Sequence, residues 1–135
     1  MTQPGQGAIG NRVSRLQTMQ GVLGALCHEH GLEAAVLVGE EGLPLAAAPA
    51  TYDAEVLAAV TAQLQRTARQ AQKQLGLPDV DEIGMAVAGG SRLVGRCFLA
   101  GGQALILTVV VPGRAPYRRA TNQAMRAIRR AWGDR

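Results

Sequence analysis

The segment Leu105–Val111 (LILTVVV) is apolar at almost every position. Side chains alternate across a strand, so a sheet with one wet face shows alternating apolar and polar residues. A strand apolar on both faces needs cover on both. This run therefore excludes a half-exposed sheet and requires helices on either side of it.

The neighbouring segments supply the rest of that sheet. Strands are expected at about Glu82–Ala88, Leu93–Leu99 and Ala104–Val111, joined by the short links Gly89-Gly90-Ser91 and Gly101-Gly102 as an antiparallel meander. Gly84, Ala86 and Ala88 give the first of these a small-residue face, which suits a tightly packed helix. Ala34–Val38 and Leu43–Ala47, separated by Gly39-Glu40-Glu41-Gly42, form a hairpin. Pro44 lacks an N–H and places its strand at a sheet edge.

Three stretches carry helical periodicity. From Asn11, with Asn11 or Ser14 as cap, Leu16, Met19, Leu23, Leu26, Cys27 and His30 share one side, and Gly31 stops the helix. Thr51-Tyr52-Asp53 opens a long helix running to about Leu75, with the apolar stripe Val56, Leu57, Val60, Leu64, Ala68, Ala71 and Leu75; Gly76 and Pro78 end it. Roughly opposite lie Glu55, Ala59, Ala62, Arg66, Arg69 and Lys73. The small residues Ala58, Ala59 and Ala62 there fit either a close-packed second backbone or a merely solvated helix, and the two readings stand level. The last helix, about Tyr117–Trp132, buries Tyr117, Ala120, Ala124, Ile128 and Ala131, with Arg119, Arg126 and Arg130 on its far face and Arg118 and Arg129 beside them.

The fold class is thus α/β (α+β), with helices on both faces of the sheet, in the order helix-β-β-helix-β-β-β-helix. Residues 1–11 lack periodicity and are expected to be a flexible tail, with one domain over 12–135. Aromatics make up only 3% of the 135 residues, so aliphatic strands and alanine-rich helix faces must build the core. The formal net charge of +4 is nearly all arginine, Lys73 being the only lysine. That balance permits acidic partners but selects none. Residues 1–11 hold no apolar leader core and no apolar stretch is long enough to span a bilayer, so a cytoplasmic protein is expected.

A search for catalytic constellations returns little. Cys27-His28-Glu29-His30 holds metal-ligating types, but helix positions two apart point about 200° away from each other. His30 is expected to face the core and His28 water. Cys27 and Cys97 read as reduced, buried thiols. Gly89-Gly90 and Gly101-Gly102 lack the strand–GxxxxGK[ST]–helix setting of a phosphate loop. Asp81-Glu82 reads as a solvated pair at a strand start, and Ser14, Thr51, Ser91 and Thr121 have no His and Asp partners in view. Arg96, among apolar strand residues, reads first as a side chain that snorkels to the sheet margin, and second as a charge held for an acidic partner or subunit contact. No catalytic, cofactor-binding or metal-ligating residue is assigned, and a protein that is not an enzyme is expected. The arginine-rich helix lacks interleaved aromatics for base stacking, so nucleic acid is not expected as a partner, nor is a membrane.

The element order, with Leu32–Ala48 (LEAAVLVGEEGLPLAAA) and Ser91–Val111 (SRLVGRCFLAGGQALILTVVV), resembles the Roadblock family of dynein light chains, whose bacterial members regulate small Ras-like GTPases. The resemblance spans about Val13 to Trp132 and rests on the order and lengths of elements, not on one motif. It implies a five-stranded antiparallel sheet with the middle helix on one face and the terminal helices on the other, and a homodimer in which the first meander strand pairs with its copy while the two middle helices pack together. On this sequence that interface maps to Ala58, Ala62, Arg66, Arg69, Glu82, Ile83, Met85 and Val87. It further implies a regulator or scaffold for a small Ras-like GTPase that modulates GTP hydrolysis from outside, with no arginine finger assigned. A structural adaptor without effect on a GTPase is the alternative, and a ligand sensor or enzyme of related shape would require a polar pocket.

Overall fold

Helix α1 (Pro4–His30) runs into the hairpin β1 (Ala34–Val38) and β2 (Pro44–Ala48), then α2 (Ala54–Leu75), the meander β3 (Glu82–Ala86), β4 (Arg92–Ala100) and β5 (Gln103–Val111), and α3 (Arg118–Trp132). The computed structural model describes residues 4–133, with side chains from Ser14 onward. The element order is the expected one. α1 starts at Pro4 and not at Asn11; proline is tolerated at a first helical position because its missing N–H has no intrahelical partner there. Residues 1–3 of the expected tail lie outside the described residues.

All strand pairs are antiparallel, in the order β2-β1-β5-β4-β3. The apolar β5 lies at the centre. Its Leu105, Leu107, Val109 and Val111 join a core with Met19, Leu23 and Leu26 of α1 and Ala124 and Ile128 of α3. Its Ile106 and Val110 point the other way, into a smaller core with Val36, Leu57 and Ala58. Both faces are covered, as the sequence requires. Pro44 stands at the start of the edge strand β2.

The two cores are unequal. Against the sheet, α2 fully buries only Leu57, Ala58 and Thr61. Thr61 Oγ1 lies 2.8 Å from Leu57 O and 3.1 Å from Thr108 Oγ1, so the polar atoms beneath α2 are satisfied. The helix itself is well terminated: Asp53 accepts from Val56 N at its start, and Gly76, in the left-handed region, closes its end.

Several local expectations change. His30, the last residue of α1, is exposed, as is His28. Gly84, Ala86 and Ala88 are exposed, and a Cβ on Gly84 would come near only Leu93 O, with no helix side chain within 4 Å. β3 ends at Ala86, and Val87 closes the turn to Ser91 through its N–H.

Trp132 packs over the β4–β5 turn, where Gly101 has φ +57 and a Cβ would stand 2.5 Å from Trp132 Cδ1. A side chain here would strain the backbone and force the ring to shift. Gly101→Ala is expected to lower stability by about 1–3 kcal/mol, read as a drop in Tm. An unchanged Tm would show that Trp132 swings away freely.

Candidate self-association surface

The sheet ends at β3, whose outer backbone edge pairs with no other strand among the described residues. Alternation splits its side chains. Ile83, with Thr61, Leu64, Leu93 and Thr108, and Met85 turn to the α2 side, whereas Glu82 turns to α3.

On the α2 side the apolar stripe of the helix is wider than the arc the sheet covers. Leu57 and Ala58 point down, but Val56 is 58% exposed. Val56 and Val60 lie one turn apart on one flank, facing Met85 and Val87, which are 42% and 45% exposed. Between them runs an open groove of about 510 Å³, lined also by Tyr52 and Leu93. Apolar side chains and an unpaired strand edge thus form one continuous surface.

The structure brings together only part of the expected interface. Ile83, Met85 and Val87 share this surface, with Glu82 at its margin. Ala58 does not belong to it: the residue is fully buried in the chain's own core, because it stands about 200° around the helix from both Val56 and Val60. Ala62 is half-buried, and its Cβ lies 3.2 Å from where a Cβ on Gly42 would stand, so it abuts the β1–β2 turn. Arg66 and Arg69 are exposed, and Arg69 lines a separate cavity with Gln65, Lys73, Asp79 and Cys97. Val56 and Val60, outside the expected set, line this groove with Met85 and Val87. Their signal is the width of the apolar stripe itself, which exceeds what a single sheet contact can cover.

Glu82 is the second feature, and it is not a solvated strand-start residue. It faces Arg96 across β3 and β4 as a direct register partner. Arg96 is 5% exposed and does not snorkel: its Nε lies 3.4 Å from Glu82 Oε1, Nη1 donates to Thr121 Oγ1 at 2.6 Å and Nη2 to Asn122 Oδ1 at 2.8 Å. Tyr117 OH donates to Glu82 Oε2 at 3.1 Å and Arg118 Nη1 reaches Glu82 Oε1 at 3.3 Å. One carboxylate therefore ties the edge strand to the start of α3.

The thiols stand apart from this surface. Cys27 and Cys97 are both free and half-buried. Burial raises the Cys27 thiol above its usual pKa. Burial also raises that of Cys97, with Arg69 opposing and Asp81 adding to the shift. Thiolate is the reactive form, so alkylation by iodoacetamide is expected to be slower than that of glutathione at neutral pH and to rise only at more alkaline pH. Rates at or above those of the free thiol would contradict the burial. Among the described residues no group of three or more His, Cys, Asp or Glu could hold a metal ion, and no helix is long and apolar enough to cross a membrane.

A family model for the Roadblock/LC7 domain matches residues 18–110. The chain belongs to the Roadblock/LC7 domain family. The match covers the greater part of the chain, from α1 into β5. Among solved structures, this Roadblock domain is similar to MglB of Myxococcus xanthus (TM-score 0.72, 18% identity, 85% of this chain and 87% of that one). It is similar also to the gliding protein MglB of Thermus thermophilus (TM-score 0.71, 22% identity, 87% and 90%). A further MglB structure, with a tetrameric arrangement, gives a TM-score of 0.70 at 22% identity over 87% and 89%. These likenesses establish the fold. No curated protein matches the sequence.

Proposed function

We propose that this Roadblock domain is a cytoplasmic homodimer that binds a small Ras-like GTPase and modulates its GTP hydrolysis without contributing a catalytic group. The observation that carries the self-association half is the open apolar flank of α2 beside the unpaired edge of β3. Pairing β3 with its copy satisfies the edge hydrogen bonds, and the same operation sets Val56, Val60, Met85 and Val87 of one protomer against those of its partner. The tetrameric arrangement of an MglB structure supports self-association as a property this fold accommodates.

The GTPase half is supported by family membership and by the role the family resemblance implies for bacterial members. A regulator of that kind works by binding and reshaping its partner, with the hydrolytic machinery on the GTPase. The test is to titrate the protein into a small Ras-like GTPase of the same genome, loaded in turn with GDP and with a non-hydrolysable GTP analogue. Binding to at least one nucleotide state with altered GTP turnover is expected. Absence of binding in both states would overturn the GTPase half and leave the dimer standing.

A further inference from the structure

The opposite face of the molecule carries a second feature that self-association does not use. In α3, Arg119, Arg126 and Arg130 are exposed, and among the described residues none of them has a hydrogen bond or ion pair. At about 100° per residue the three fall within a strip roughly 40° wide, and the rise of about 1.5 Å per residue sets them about 10 and 6 Å apart along it. Gln123 borders the same strip and is also exposed.

The helix dipole does not account for this line. Cations stabilise the C-terminal end, which suits Arg130, but Arg119 occupies the first turn, where the dipole repels a cation. That turn has no acidic residue and no side-chain cap. Arg118 is compensated by Glu82, and Arg129 is engaged by Leu99 O and the Phe98 ring; Arg119 has neither kind of compensation.

The geometry points to an acidic α-helix of another protein as the occupant of this strip. Glutamates at i, i+4, i+7 and i+11 of a partner helix repeat with the same rise and fall on one line, so carboxylates meet guanidinium forks in register. A second copy of this chain cannot serve, because α1 contains only Glu29, α2 only Glu55 and α3 no acidic residue. A membrane fits less well, since the apolar side chains of α3 are already spent on the core. Nucleic acid fits less well too: Tyr117 is stacked under Arg92, and Trp132 lies between Gly101 and Arg15, so neither ring is offered to a base. The strip lies on the α3 side of the sheet, so this inference does not rest on the dimer reading.

The test uses the full chain and a fluorescent helical peptide with glutamates at i, i+4, i+7 and i+11, against a peptide of the same composition with those glutamates spread around the helix. Fluorescence anisotropy at low salt is expected to show the patterned peptide binding about tenfold more tightly, the scale of three exposed ion pairs acting together. The difference should vanish in the combined variant Arg119→Gln, Arg126→Gln and Arg130→Gln, whose circular dichroism melt should match the wild type. Equal binding of the two peptides would overturn the proposal, as would a combined variant that still discriminates. Vesicles of phosphatidylglycerol and phosphatidylcholine, or a duplex DNA, bound more tightly than the patterned peptide would also overturn it.

Discussion

Glu82→Ala is expected to lower the free energy of unfolding by about 3 kcal/mol, whereas Arg96→Met is expected to lower it by only about 1 kcal/mol. The asymmetry follows from burial. Removing the carboxylate leaves the Arg96 guanidinium charged under α3, with only the neutral oxygens of Thr121 and Asn122 as partners. Removing the guanidinium leaves Glu82 at the half-exposed sheet margin, still met by Arg118 and Tyr117, and methionine fills the space left behind. The double variant should therefore be more stable than Glu82→Ala alone, which is the sign of a stranded charge and not of additive losses. Urea unfolding at one fixed protein concentration reads all four proteins, since self-association adds concentration-dependent stability. A Glu82→Ala midpoint indistinguishable from wild type would show that the pair contributes nothing.

The same pair marks where the sequence stops being informative. Arg96 stands out among apolar neighbours, but its partner is fixed by the register of β3 on β4, which places Glu82 opposite it. Composition does not carry register, so from sequence the arginine reads as reaching the sheet margin and the glutamate as solvated. The architecture is legible for the opposite reason. The run Leu105–Val111 has no polar face, and both its faces are buried between α1 with α3 and α2.

The candidate surface is legible as a region and not residue by residue. Ile83, Met85 and Val87 fall on the open side of β3, because alternation along a strand needs no knowledge of what lies next to it. On α2 the periodicity shows which residues are apolar but not which arc meets the sheet. The helix lies rotated so that Ala58 and Thr61 point inward while Val56 is left outside. The apolar stripe is therefore half core and half open flank, and the alanine side that suits an approaching backbone is partly the core. His30 misleads in a similar way: it shares the phase of the buried Leu23 and Leu26, yet as the last residue of α1 it stands exposed.

The second large effect concerns that open flank. Val56 and Met85 are exposed in one copy of the chain, so exchanging them for glutamate should alter the stability of the protomer by less than about 0.5 kcal/mol. In the pair the same exchange buries like charges against each other in an apolar contact, with no partner to compensate them. The combined variant Val56→Glu and Met85→Glu is expected to raise the dissociation constant at least about a hundredfold, or about 2.7 kcal/mol. Ala62→Glu, which lies by the β1–β2 turn, should leave association unchanged.

Sedimentation equilibrium over a range of concentrations measures this directly. The wild type should give a mass twice the 14.1 kDa of one chain, and the Val56→Glu, Met85→Glu variant 14.1 kDa with an unchanged circular dichroism spectrum. A wild type at 14.1 kDa throughout, or a variant that keeps the doubled mass, would contradict self-association through α2 and β3.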